Sequence, residues 1–184
     1  MIIGITGTDG SGKGTVVDYL VTKLGFIHYS SRDLIMQEVA KRGLEPDRVN
    51  ARVVGNALRA EFGADVIVRK ALEKVAENGV ENAVIESIRA VKEAETLKQA
   101  GGVLLAIDAP AELRYERVVG RGSGTDKVSF ADFQKHEALE MNDPDPNGMQ
   151  KAKVMEMADH TIFNDCTIPQ LHLVVDEFLR KYQK

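Results

Sequence analysis

At 184 residues with a formal charge of −4, the chain is long enough for one domain with its own core, and its acidic balance leaves no basic footprint for nucleic acid or an anionic membrane. A local group of arginines would still bind a small anion. Cys166 is the single cysteine, which excludes an internal disulfide or a multi-cysteine zinc site, and no apolar run reaches the length of a signal peptide or membrane span, so a cytoplasmic protein is expected.

In chain order, the apolar strand Ile2–Thr6 runs into Gly7-Thr8-Asp9-Gly10-Ser11-Gly12-Lys13-Gly14-Thr15. A glycine-rich turn between a strand and a helix-forming segment lets backbone N–H groups and a helix N-terminus converge on an anion. The run therefore predicts a phosphate-binding loop, with Lys13 reaching the outer phosphates of a polyphosphate. The hydroxyl usual directly after the lysine is replaced by Gly14 and comes one residue later, at Thr15. A helix over Thr15–Leu24 stops at Gly25, and Phe26–Tyr29 reads as a strand. Ser31-Arg32-Asp33 opens a helix to about Arg42. Two more follow, Asp47–Phe62 and Asp65–Glu77, each with an aspartate suited to N-capping and each ending at a glycine turn.

The strands Ala83–Glu86 and Val103–Asp108 are apolar runs ending in a carboxylate, as buried parallel strands often do at a ligand-binding edge. Helices near Ala111–Val119 and Phe130–Met141 lead to a turn-rich stretch, Asn142–Gly148, whose carboxylates lack the register of a cation loop. A helix to about Ala158, a strand at Thr161–Phe163 and a closing helix from about Pro169 complete the chain. Strands alternating with helices predict an α/β fold of three layers, a five-stranded parallel sheet with helices on both faces and phosphate chemistry at the strands' carboxyl ends.

On these residues the chain resembles the adenylate kinase family of P-loop kinases over most of its length. Gly-Lys-Gly-Thr in the loop is similar to that of adenylate kinases. Asp108-Ala109-Pro110-Ala111-Glu112, continuing to Arg117-Val118-Val119-Gly120-Arg121, looks like the family's segment from the fourth strand into the lid, whose two arginines face ATP and the transferring phosphoryl group. Ser30-Ser31-Arg32-Asp33 and Gly63-Ala64-Asp65 resemble parts of the monophosphate-binding helices. Glu86-Ser87-Ile88-Arg89 stands where the family has Asp-Gly-Phe-Pro-Arg, with the arginine on the monophosphate. That block is one residue shorter here and instead resembles Asp-Gly-Ile-Arg in an archaeal family of adenylate-kinase-related proteins. The tail Met157–Asn164 is similar to the end of dephospho-CoA kinases. Asp9-Gly10-Ser11-Gly12-Lys13 is spelled as in thymidylate kinases, whose Asp-Arg-Tyr segment is missing. The resemblance implies a single P-loop NTPase domain over 1–184, with a helical acceptor-binding insertion at 30–79 and a short lid at 121–130. Gly120, Gly122 and Gly124 would let that lid close over the phosphates. No arginine lies between Arg121 and Arg180, so the lid-side arginines have no counterpart, and Lys127, Lys135, Lys151 or Lys153 would have to substitute.

Phosphoryl transfer consists mainly of aligning donor and acceptor and placing cations around the charge on the group in flight. Lys13, Arg117 and Arg121 are the expected donor-side cations, with Arg89 for the acceptor phosphate and Arg32 beside it. Mg²⁺ would be held by Thr15 and waters, with Glu86 or Asp9 in support. Asp33 either meets the acceptor or caps its helix. Arg59 is either a monophosphate ligand or a solvated helix residue, and Arg117 and Arg121 have a solvated ion-pair face with Glu112 and Glu116 as their alternative. The four histidines show no ligand spacing. The expected activity is transfer of the γ-phosphoryl group of ATP to a nucleoside monophosphate such as AMP. Two alternatives stand beside it: dephospho-CoA kinase with Asp9 as base, and a regulatory nucleotide-binding ATPase. The expected partners are small nucleotide substrates, with the chain a monomer or small homo-oligomer.

Overall fold

The computed structural model describes residues 1–121, 129–145 and 148–182. Its elements are β1 (Ile2–Gly7), α1 (Lys13–Leu24), β2 (Ile27–Ser30), α2 (Ser31–Lys41), α3 (Arg48–Phe62), α4 (Val66–Glu77), β3 (Ala83–Glu86), α5 (Val91–Gln99), β4 (Val103–Asp108), α6 (Ala111–Gly120), α7 (Phe130–Met141), α8 (Lys151–Glu156), β5 (His160–Phe163) and α9 (Ile168–Tyr182). The strands form one parallel sheet in the order β2-β3-β1-β4-β5. β1 is central, and the chain crosses from one side of it to the other between β3 and β4. The carboxyl ends of β1, β3 and β4 therefore border the crevice where open α/β sheets bind ligands.

Strand residues alternate between two cores, as period-two side chains must. Ile3, Ile5, Val84, Leu105 and Ile107 pack with Val16 and Leu20 of α1 and Val175 and Phe178 of α9. Ile85 and Leu104 face the other way, onto Val68 and Ala71 of α4, Ala94 and Leu97 of α5 and Val154 of α8. Covering both faces is what makes the strands continuous apolar runs. A smaller cluster, Val39, Val54, Leu58, Val66 and Ile67, holds α2, α3 and α4 together as the insertion.

Most expected elements lie within a residue or two of their places, and the differences have local causes. α1 starts at Lys13, two residues before the expected Thr15, because Gly12 at φ 98° makes the cap. α2 starts at Ser31 as expected and is capped by Ser30, whose hydroxyl accepts the Asp33 N–H at 3.1 Å, so Asp33 is not the cap. Asp47 caps α3 as expected. Asp65 makes no capping bond; its carboxylate accepts the Thr96 hydroxyl at 3.1 Å, joining the insertion to α5. α5 itself, between β3 and β4, has no counterpart in the sequence reading. Its first turn is capped by Glu93, which reaches back to the N–H groups of Arg89 and Ala90 at 2.9 and 3.1 Å. Of the expected lid, residues 122–128, Lys127 included, lie outside the described residues, as do residues 146–147 of the turn-rich stretch. No helix among the described residues is long and apolar enough to cross a membrane.

Candidate functional site

The loop between β1 and α1 is shaped by close backbone approaches. Gly7 adopts φ 128°, and a Cβ there would stand 1.9 Å from the Ile107 carbonyl of β4; Gly12, at φ 98°, has the Asn164 amide 2.3 Å from where its Cβ would be. Neither position admits a side chain. Thr8 donates to the Asp108 carboxylate at 2.6 Å, and Ser11 donates to the Thr8 carbonyl at 2.8 Å. Both hydroxyls are buried, so these two predicted site residues shape the loop with their side chains and present an anion only with backbone. Gly12 has no side chain with which to satisfy the first amides of α1, the end of the helix at which the sequence leads one to expect an anion.

Lys13 folds over the loop and donates to the Gly7 and Thr8 carbonyls at 3.0 and 2.6 Å. Burial, with Lys151 and Arg89 adding repulsion, pushes its ammonium down to about 8, against the pull of Asp9. Asp9, the third residue of the loop, is the electrostatic centre of the site. Its Oδ1 stands 3.7 Å from Lys13 Nζ and 3.2 Å from Lys151 Nζ. Burial alone would raise the Asp9 carboxyl, but the charges of Lys151, Lys13 and Arg89 outweigh it and hold the group well below the usual carboxylate range.

Two relays bind α7 to this one loop residue. Glu137 pairs with Arg114, one guanidinium–carboxylate distance being 3.0 Å, and Arg114 donates to the carbonyls of Ala109 at 2.8 Å and Asp9 at 3.4 Å. Glu140, one turn further along α7, pairs with Lys151, which holds the Asp9 carboxylate. Arg114 and Lys151 are both buried. The sequence reading did not single out Arg114, Glu137 or Glu140, although the i, i+3 spacing of the two glutamates on one predicted helix was a usable signal.

On the α6 and β5 side of the loop, Gly10, Gly12, Thr15, Arg117, Gly120, Arg121, Asn164, Cys166, Ile168 and Leu171 line a cleft of about 370 Å³. Among the described residues Arg117 makes no ion pair with Glu112 or Glu116; it donates to the Asn164 carbonyl at 3.0 Å, and the Asn164 amide donates to the Ser11 carbonyl at 2.7 Å. Asn164, quoted in the sequence only as part of the tail, thus joins both arginine helix and loop. A larger hollow of about 450 Å³ opens at Leu24, Phe26 and Asn82, beside the amino ends of the strands and away from every predicted site residue.

The region around the end of β3 is assembled differently. Glu86 ends β3, lies within 3.6 Å of His28, and accepts from Ser30 at 3.4 Å. The His28 contact and the Ser30 bond hold Glu86 below its ordinary value, and the same pairing raises His28, which burial opposes. His28 therefore has a partner, which its lack of ligand spacing concealed. Ser87 follows at φ 65°, a left-handed backbone rare without glycine, at the position where the resembling families carry glycine. Arg89 is half-buried, with its guanidinium 3.5 Å from Met149 Sδ and its carbonyl accepting Gln150 N–H at 2.8 Å. Arg32 and Asp33 are exposed on the first turn of α2. Arg59 is 4% exposed and donates twice to Glu93, at 3.0 and 3.1 Å, so it is neither a solvated helix residue nor free for a phosphate. One turn before it, Asn56 Oδ1 is buried without a hydrogen-bond partner.

A parallel sheet of this order with a glycine loop after its central strand is the fold of P-loop kinases. Shikimate kinase from Aquifex aeolicus, 17% identical, matches it with a TM-score of 0.59 over 98% of this chain and 97% of that one. A protein from Thermus thermophilus, 22% identical, matches with a TM-score of 0.67 over 98% and 97%. The chain belongs to the UPF0200 family and, through residues 3–143, to the AAA domain family. A UPF0200 protein of Thermococcus onnurineus is 34% identical over 98% of this chain and 97% of its own, and one of Methanosarcina acetivorans is 30% identical over 100% and 96%. Among the resemblances read from sequence, the archaeal one agrees with these relatives; they do not point specifically to adenylate kinase or dephospho-CoA kinase.

Proposed function

We propose that the protein transfers the γ-phosphoryl group of ATP to a nucleoside monophosphate, with AMP the favoured acceptor. The observation that carries this reading is that Lys13, from the loop after β1, stands 3.7 Å from the Asp9 carboxylate, while Arg89, from the connection after β3, is tied by its carbonyl to Gln150, whose neighbour Lys151 stands 3.2 Å from the same oxygen. A donor cation and an acceptor-side cation would thus flank one crevice, as in-line transfer requires. The phosphates of ATP would lie along the Gly7–Thr15 backbone with Lys13 at the outer end. Its base would enter the cleft between Arg117, Arg121 and the apolar Ile168 and Leu171. Arg89, with Arg32 and Asp33, would meet the acceptor. Thr15, lining that cleft, and Glu86, at the end of the neighbouring strand, offer the hard oxygen donors that suit Mg²⁺, which would neutralise charge between the phosphates.

The structure bears on the alternatives through Asp9. A carboxylate held so far below the usual range is a poor proton acceptor, which weighs against a dephospho-CoA kinase relying on Asp9 as base and leaves it an electrostatic role. The AAA domain match supports a phosphotransferase-like fold, and the regulatory ATPase stands as the third reading. A coupled ADP-release assay with nucleoside monophosphates, dephospho-CoA and no acceptor tests all three. The expected result is fastest release with AMP; release equal with and without acceptor overturns the kinase reading in favour of the ATPase.

A further inference from the structure

We propose that Lys151 is a second phosphate-binding cation of this site, taking the place of the arginines that the sequence lacks beyond Arg121. This inference rests on the phosphoryl-transfer reading above and adds the group that would share the phosphate chain with Lys13. Four lysines were available to substitute. Of those, Lys135 and Lys153 are exposed and Lys127 lies outside the described residues. Lys151 alone among the described three is buried against the loop, at 3% exposure.

Its position is over-determined. It opens α8, whose preceding residue, Gln150, donates its N–H to the Arg89 carbonyl at 2.8 Å, so Lys151 and Arg89 are held together. Its ammonium touches the same Asp9 oxygen that Lys13 approaches, at 3.2 Å against 3.7 Å, which brings the two ammonium groups close enough for one polyphosphate chain to meet both. Lys13 and Lys151 thus meet at a single carboxylate oxygen beside the backbone amides of the loop, and two ammonium groups that share one acceptor oxygen keep donors for an anion.

Lys151 has three donors on a flexible stem, so it can turn from Asp9 and Glu140 to phosphate oxygens without moving the backbone. The exchange is a competition: Glu140 holds the ammonium back, and a triphosphate offers it a denser negative charge. Because Glu140 is on α7, the helix that follows the expected lid, occupation of the loop would weaken one of the two relays that bind α7 to Asp9 while leaving the Glu137–Arg114 relay intact.

The test is calorimetric titration of inorganic tripolyphosphate, in parallel with ATP, into the full chain and its Lys151→Met, Lys151→Arg and Glu140→Gln variants, with thermal unfolding run alongside. Lys151→Met should bind tripolyphosphate about tenfold or more weakly, with a smaller salt dependence, and Lys151→Arg should recover most of the affinity. Glu140→Gln, which releases the ammonium, should bind severalfold more tightly. Because removing Glu140 also removes a negative charge beside the anion, the deciding comparison is the charge-balanced double variant Lys151→Met/Glu140→Gln: a lysine that only neutralises its carboxylates leaves its affinity near wild type, and that result overturns the proposal. Should Lys151→Met fail to fold, the double variant and Lys151→Arg decide the matter. Wild-type protein that binds tripolyphosphate but transfers to no acceptor refutes the kinase reading and not this one; Lys151→Met binding as tightly as wild type refutes this one alone.

Discussion

The two sides of the crevice, proposed above to take donor and acceptor, are built on different principles. The donor loop is made of backbone: Gly7 and Gly12 admit no side chain, Thr8 and Ser11 spend their hydroxyls on the loop itself, and Asn164 ties it to Arg117. The acceptor side is made of side chains on a helical insertion whose predicted contacts, Arg32 and Asp33, stand in solvent, while Arg59 is consumed by Glu93. The first is rigid and tolerant only of glycine at key points. The second, as proposed, has exposed ligands on helices held by an apolar cluster and one buried ion pair. A backbone cradle contacts phosphates common to every nucleotide, so on the proposed reading discrimination between substrates falls to the side built of side chains.

The sharpest way to break this contrast is Lys13→Ala, which removes the one cationic side chain of that loop. It should keep the fold and reduce transfer by at least about a hundredfold to a thousandfold, since its charge acts on the transition state. Near-normal turnover in a folded variant would show that backbone alone suffices. Next is Arg59→Met, expected to destabilise the protein by about 3–5 kcal/mol because it leaves Glu93 buried and uncompensated. Chemical denaturation measures this, and a loss of under 1 kcal/mol would mean that the insertion is held by its apolar cluster alone.

Arg89→Ala addresses the proposed acceptor side directly. It should raise the acceptor's KM by about ten- to a hundredfold with a smaller change in KM for ATP, as a charge-assisted phosphate contact implies. Equal effects on both substrates would merge the two sides. Ser87→Gly, smaller still, should raise stability by about 0.5–1 kcal/mol by relieving the left-handed backbone at φ 65°. An increase in stability with unchanged kinetics would make the strain incidental, whereas lost turnover would tie it to Arg89 placement.

The smallest effect concerns His28 and Glu86. His28 is raised above its ordinary 6.5, so its contribution is complete below that pH and is lost as pH rises through the higher folded value. Glu86 is lowered from 4.5, so its contribution is present above that pH and is lost as pH falls through the lower folded value. The pair should therefore stabilise most between about 4.5 and 6.5. Unfolding curves of His28→Asn across pH 4–8 should lack this maximum, and an unaltered profile would remove Glu86 from any coupling to His28.

What the sequence determined by itself was whatever depends on neighbours along the chain. The glycine spacing that shapes the loop, the apolar runs of Ala83–Glu86 and Val103–Asp108, the cap at Asp47 and the alternation that demands a parallel sheet are local, because steric limits and period-two burial act over a few residues. Tertiary structure decided which charges meet. Arg59 and Arg89 are both arginines beside acceptor-like motifs, yet Glu93 claims one as a buried partner and only the backbone N–H of the other. Lys151, 142 residues from Asp9, reaches it because α8 packs beneath β1 and against α5. Asp65 forgoes its cap for Thr96 for the same reason. A charge buried in a crevice takes its partner from whatever the fold brings within 3 to 4 Å, and that choice is written in packing, not in the spacing of residues along the chain.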